Sequence, residues 1–480
     1  MRTREARFDG RKGINRAFSA EVLDRYELFG AGNARMGPFG SWAKMAGSQR
    51  VHDSVIGGGA KVLGLHQWVP AAGRQLVAIS NSELYHKIQA DAEFTEVAGS
   101  FSTTVRPVFA AHLIAGTPTL FIADGTLRSF NGVSTITAIS GAPAALYIVV
   151  YKGRMFAFDG SKVVYYSDIE DPTTWTEQAN VETYDTLGVK AAAVVGSSLL
   201  MFKANSVARF VGNSNADIQI DQQTEGVSPD IGTIAPNTVL LMEEVAFFLT
   251  DRGPYVASEA GVQAVGVKIE NEFDDAEMDH LPNAIAVHHK ARREVWIFFP
   301  ENTETTNTVG YCLNYRQQTW TGPWDMGGTF DVCSAAPYEL TDQKESVVLG
   351  GYDGRVRRGD VVAVGAKHDV LRDGTGGTAT QMDLVLPTLF FGDPTATKRF
   401  LAFQEIAADL GATGSLQVIF TDDLTGATHT ETIATKGAGI KQYKFRIPGM
   451  FQRGTLTLRD ATSEITQING IMLTAGLFWR

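Results

Sequence analysis

The feature that most constrains this chain is a motif that returns along most of its length. A short apolar run is followed by a turn rich in Asp, Asn, Gly or Ser, and then by a second short run that often carries an aromatic residue. Two of its clearest copies are Leu120 to Ala123, Asp124-Gly125 and Leu127 to Phe130, and Met155 to Phe158, Asp159-Gly160 and Val163 to Tyr166. Asp-Gly between apolar runs is a strong local hairpin signal, because a two-residue type I′ turn needs positive φ at both central positions. Other copies start at Val77, Leu199, Ala246, Val295 and Val347, so that the seven starts lie 35 to 52 residues apart. Blades of a β-propeller repeat at about 40 to 50 residues, and their radial packing protects sheet edges that would otherwise aggregate. The spacing predicts an all-β chain with a propeller of six to eight blades. Hairpins in stacked β-sandwiches are the alternative, since no WD or kelch signature marks the copies.

Helix is scarce. Lys268 to Leu281 carries a partial apolar stripe ended by Pro282, and Ala20 to Leu28 is a weaker candidate. Beyond about residue 366 the texture changes. Asp373-Gly374-Thr375-Gly376-Gly377 reads as a flexible joint, followed by alternating strands such as Leu416 to Thr421, Gln442 to Ile447 and Ile471 to Leu477. The expected organisation is an N-terminal arm and docking region at 1–60, a propeller at 61–365, and a β-sandwich or jelly-roll-like domain at 366–480.

Composition narrows the chemistry. With 53 acidic and 42 basic side chains the net charge is −11, which opposes tight binding to a phosphate backbone unless the positive charges cluster. Clusters are sought at Arg2, Arg4, Arg7, Arg11, Lys12 and Arg16, and at Arg355 and Arg357, which alternate with apolar residues and would share one strand face. Either group could touch DNA or an acidic partner; an exposed blade strand is the plainer reading of the second. Cys312 and Cys333 are too few for a disulfide scaffold or a four-Cys zinc site, and fit a reducing compartment. No apolar run reaches the roughly eighteen residues needed to cross a bilayer, and the stretch Val239 to Leu249 is broken by Glu243-Glu244. The basic N-terminus lacks the apolar core of an export signal, so no membrane span or leader is expected.

Sequence motifs for catalysis are missing. There is no HExxH, Walker loop or GxSxG, and Gly57-Gly58-Gly59 lacks the Lys-Ser/Thr of a phosphate loop. His288 and His289 are adjacent on an expected strand and would face opposite sides, unable to share a metal. Asp168, Glu170 and Asp171 lack the spacing of a calcium loop, and Pro172 with Trp175 suggests a loop fixed by an aromatic. The pairs Glu243-Glu244 and Asp274-Asp275 are expected to diverge on solvated surfaces rather than face one substrate. No catalytic residue, cofactor or metal ligand is therefore assigned.

Several passages, taken in order, resemble the tail hub and nozzle proteins of short-tailed bacteriophages, a group that includes the phage stabilisation proteins. They are Tyr165-Tyr166-Ser167-Asp168-Ile169-Glu170-Asp171-Pro172-Thr173-Thr174-Trp175, then Leu199-Leu200-Met201-Phe202 with Ser206 to Gly212, then Gly226-Val227-Ser228-Pro229, then Val245 to Tyr255. Gly13-Ile14-Asn15 with Asn33 is similar to the family's start, and Pro394 to Lys398 ahead of Phe400 to the entry of its C-terminal sandwich. The stretch Gly37 to Arg50 departs from the family's pattern. The resemblance implies a non-enzymatic component of the virion tail, assembled in the bacterial host cytoplasm. It implies a homo-hexameric ring below the portal and adaptor proteins that retains packaged DNA, passes it through a lumen without reading sequence, and carries tail fibres or spikes. Two other readings stay open: a propeller glycosidase or lyase with two facing carboxylates on the axis, and a carbohydrate- or receptor-binding tail protein with exposed Trp and Tyr on one rim, for which Trp320 and Trp324 are the closest pair.

Overall fold

A computed structural model describes residues 2–478 apart from 38–39, 71–72, 211–223, 275, 277, 329, 341–344, 392–394 and 401–403. The protein is all-β, and its centre is a β-propeller. Six four-stranded antiparallel sheets stand as separate blades, and a seventh four-stranded unit, from Ile285–His289 to Thr319–Trp324, takes the sixth place in the ring. The innermost strands of blades one to seven are Val62–Trp68, Val108–Ile114, Tyr147–Tyr151, Val189–Val195, Leu240–Met242, Ile285–His289 and Val332–Glu339. Each packs against the next, and the last returns to the first.

The repeated apolar run is the second strand of each blade: Gln75–Ser80, Thr117–Ala123, Arg154–Phe158, Ser198–Lys203, Val245–Thr250, Glu294–Phe299 and Glu345–Gly351. These strands are covered on both faces, which is why they read as unbroken apolar runs rather than alternating ones. In blade three, Phe156 and Phe158 pack toward blade four while Met155 and Ala157 pack toward blade two. Neighbouring blades are joined by separate clusters of this kind, except between blades five and six, where the cluster continues into the C-terminal domain.

The Asp-Gly turns differ from the expected two-residue type. Ala123 pairs with Leu127 and Phe158 with Val164, leaving three and five residues between them. The Asp carboxylates instead accept backbone N–H groups two residues on, from Thr126, Ser161 and Arg355, and the glycines that follow take positive φ. Asp serves here as an Asx turn, and Gly as the residue free to turn left-handed.

The C-terminal part is a two-sheet sandwich. One sheet continues blade six outward: Ala31 of strand Gly30–Gly32 pairs with Gly322, and the sheet goes on through Met382–Val385, Gly454–Asp460, Ser415–Asp422 and Thr428–Ala434. The other centres on Gln467–Phe478, flanked by Arg2–Phe8, Trp42–Lys44, Thr397–Phe400 and Gln404–Asp409.

Residues 1–60 are therefore not a separate arm. Arg2–Phe8 is a full strand of the sandwich, Gly30–Gly32 joins sandwich to propeller, and Gly47–Arg50 supplies the outer strand of blade seven, pairing Arg50 with Arg357. A strand borrowed from the other end of the chain closes the ring and fastens its last blade. The helix expected over 268–281 shrinks to Glu270–Asp274 between short 3-10 turns, and 20–28 forms turns. Burial of Ile269, Phe273 and Leu281 against the blade, not helix propensity, accounts for the apolar stripe.

Candidate functional site

The basic residues singled out from the sequence do not gather into one surface. Arg2, Arg4 and Arg7 are spread along one strand opposite Leu477, Ala475 and Met472, with Arg4 and Arg7 exposed. Arg11 lies over the Tyr26 ring at 3.9 Å, Lys12 pairs with Asp24 at 2.7 Å, and Arg16 pairs with Glu272 at 2.7 Å. Arg355 and Arg357 sit far along the fold, on blade seven. Arg355 precedes the strand and contacts Asp353 at 3.4 Å. Arg357 is fully buried: its Nη atoms bond Asp353 at 3.0 and 2.5 Å, and its Nε bonds Asp369 at 2.8 Å. It cannot meet DNA or another protein. Its charge is answered inside the fold, and one of these carboxylates also holds the closing strand, where Arg50 bonds Asp369 at 2.8 and 2.6 Å.

The histidine pair does point to two sides. His288 Nε2 lies 3.2 Å from the Tyr315 hydroxyl, while His289 packs on Trp296. Burial pushes both below the ordinary histidine value, His289 to about 4, aided there by the nearby Arg35 charge. In the 168–175 loop the Asp171 carboxylate accepts from the Thr173 amide and from the Thr173 and Thr174 hydroxyls, which hold it below the usual range, and the Trp175 indole donates to the Pro172 carbonyl at 2.9 Å. These bonds fix a loop and leave it no cation cage. Among the described residues no three His, Cys, Asp or Glu side chains converge as a metal site. Asp275 lies outside the described residues.

On the propeller axis the inner strands enclose a cavity of about 250 Å³. Leu63, Leu65, Phe109, Tyr147 and Ile285 line it, and among the described residues no Asp or Glu does. His66 stacks on Phe109 and is pushed down to about 4 by burial, and Arg106 is held by the Asn283 carbonyl at 2.6 Å. A glycosidase centre needs two carboxyl groups, which this lining does not supply. Trp320 and Trp324 are 1% and 0% exposed, their indoles donating to the Val265 and Ala34 carbonyls, so this pair offers no ring face to a sugar.

A cleft of about 560 Å³ lies between blades five and six. The hairpin between Leu240–Met242 and Val245–Thr250 places Glu243 and Glu244 on it, opposite Tyr315 and Gln318 of blade six. Both glutamates are exposed, as expected of a solvated surface, and both border this one cleft. The one signal in the sequence was an acidic pair at the tip of a tight hairpin, where Glu243 takes φ +53°, a conformation that Gly or Asn adopts more readily.

Neither a family model nor a curated protein matches the chain. In shape it is similar to a chain of the crystal structure of BBS1N in complex with ARL6DN, at 9% identity and a TM-score of 0.45, covering 66% of this chain and 97% of that one. It is also similar to the N-terminal domain of Nup159, at 11% identity and a TM-score of 0.41, covering 66% of this chain and 94% of that one. PorZ of Porphyromonas gingivalis aligns at 9% identity and a TM-score of 0.38, covering 80% of this chain but 46% of its own.

Proposed function

We propose that this protein is a structural component of a short-tailed bacteriophage virion: a tail hub or nozzle, six copies closing into a ring below the portal and adaptor, that retains packaged DNA and carries fibres or spikes. The observation that carries the reading is the order of the resembling passages. They fall on successive parts of the ring: 165–175 on the third strand of blade three and its loop, 199–210 on blade four, and 245–255 on blade five. The propeller and the sandwich share one continuous sheet, which favours a rigid building block over a hinged enzyme. The cavity on the propeller axis, about 250 Å³, is too small to be a path for DNA, so the lumen of this reading runs between copies, around the six-fold axis. A head-to-tail interface closes such a ring without any self-complementary patch. A net charge of −11 suits a wall along which phosphates must slide and not be held.

Electron microscopy of purified particles, with the protein labelled at one site, tests the reading. Six-fold density below the portal is the expected result. The reading fails where the protein is missing from particles, or is present in a number that no six-fold ring accommodates.

A further inference from the structure

The cleft between blades five and six has a charge and a shape that the tail reading does not use. Its two acidic residues, Glu243 and Glu244, are exposed at the hairpin tip, and Tyr315 lines the cleft with them. The one basic lining residue among the described residues, Lys268, has its ammonium engaged elsewhere, 3.2 Å from Glu27 and 2.8 Å from the Lys12 carbonyl. The lining residues of the cleft are thus net negative. Its walls are aliphatic, from Val245, Val256, Val265 and Leu313, and Val267 on the rim is 54% exposed. Trp320, although it borders the cleft, is 1% exposed and shows no ring face. Anions are disfavoured by the two carboxylates, and the valines and leucine of the wall give a methylene stem more contact than the half-buried Tyr315 gives a stacking group. A volume of about 560 Å³ lies within the range of small-molecule sites.

We propose that this cleft binds a primary alkylammonium group, with the ammonium held between Glu243 and Glu244 and its methylene stem laid along the aliphatic wall formed by Val245, Val256 and Leu313. The tight hairpin sets both glutamates on the lining of the cleft, and an amphipathic cation covers the valine-lined wall while keeping its charge at the wet rim. The same chemistry comes from a free diamine or polyamine, or from a lysine side chain of a partner protein.

The test uses calorimetric titration of the full chain with two probes, 1,5-diaminopentane and N-acetyl-lysine methylamide, together with the ε-acetylated lysine derivative. One saturable site per chain is expected, with no binding of the acetylated probe. The double variant Glu243→Gln with Glu244→Gln is expected to bind about tenfold more weakly or worse, the loss that follows removal of a charge-assisted contact. A control with Glu170→Gln and Glu177→Gln, which removes the same charge from blade three, is expected to bind as the parent does. Val256→Phe fills the cleft without touching its charge and is expected to abolish binding while retaining the parent's melting profile. Binding of the diamine alone assigns a free polyamine-like ligand, and binding of the lysine derivative alone assigns a partner's lysine; both support the site. The proposal is overturned if neither probe saturates, if the blade-three control loses as much affinity as the cleft variant, or if folded Val256→Phe binds at full strength.

Discussion

Replacing Arg357 with Met removes a buried charge while keeping much of the side chain's apolar stem. In the folded protein that guanidinium lies 4.0 Å over the Phe330 ring and makes three hydrogen bonds to the carboxylates of Asp353 and Asp369. Breaking a buried ion pair from one side costs about 3–5 kcal/mol where the remaining charge is fully enclosed. Here the side chains of Asp353 and Asp369 are 35% and 19% exposed, and Arg50 still holds Asp369, so water and the second arginine recover part of the loss. The expected destabilisation is about 2–3 kcal/mol at neutral pH. Burial pushes both carboxyls up, but the arginine hydrogen bonds and charges outweigh it and hold both below the usual aspartate value. A carboxyl whose folded value is depressed stabilises the fold fully above its unfolded value, near 3.9, and loses that contribution as pH falls through the folded value. The gap between parent and variant is therefore widest at neutral pH and narrows below about pH 4. Urea unfolding followed by tryptophan fluorescence, at pH 7 and in mild acid, measures both effects. A loss under about 1 kcal/mol at neutral pH, or a gap that does not shrink in acid, would refute the assignment of Arg357 as an internal clamp.

Three further perturbations test the rest of the fold. A Cβ at position 47 would stand 1.7 Å from the Lys367 carbonyl oxygen, so Gly47→Ala is expected to displace the closing strand and cost about 3 kcal/mol or more; a melting temperature equal to the parent's would show that this strand does not fasten the ring. The buried Lys203 ammonium donates to the Val181, Thr183 and Asp185 carbonyls at 2.9, 3.2 and 2.7 Å, so Lys203→Met should strand those acceptors, cost about 2–4 kcal/mol, and speed hydrogen exchange across 181–188; unchanged exchange there counts against the role. Proteolysis in the exposed stretch 371–377 should nick the chain without releasing its C-terminal piece, because Arg2–Phe8 and Trp42–Lys44 are strands of the same sandwich; the piece running free on gel filtration in native buffer would contradict that pairing.

The legible parts of the fold were those built from neighbours in sequence. All seven apolar runs lie on second strands of the ring, and all but the one in blade six, whose loop is longer, turn into their third strand within a few residues, so composition and turn chemistry sufficed to find them. The innermost strands were harder to see. Leu240–Met242 has three residues, and Val108–Ile114 is only partly buried along its length, so neither makes an unbroken apolar signal. The carboxylates of the blade five–six cleft were visible as residues but not as a site, because the opposite wall is supplied by Leu313 and Tyr315, some seventy positions away.

By itself, the sequence determined the all-β character, the blade-length repeat and the change of texture near residue 366, since each depends on periodic burial and turn residues within a few tens of positions. The tertiary structure alone decided that the N-terminal sixty residues are woven into both domains, that blade seven is closed by Gly47–Arg50, and that Arg357 is an internal clamp and not a surface contact. Pairings such as Arg50 with Arg357, or Arg4 with Ala475, join positions hundreds of residues apart. Their register is set by which side chains fit and which charges find partners once the ring has formed, and that fit leaves no period in the chain to be read beforehand.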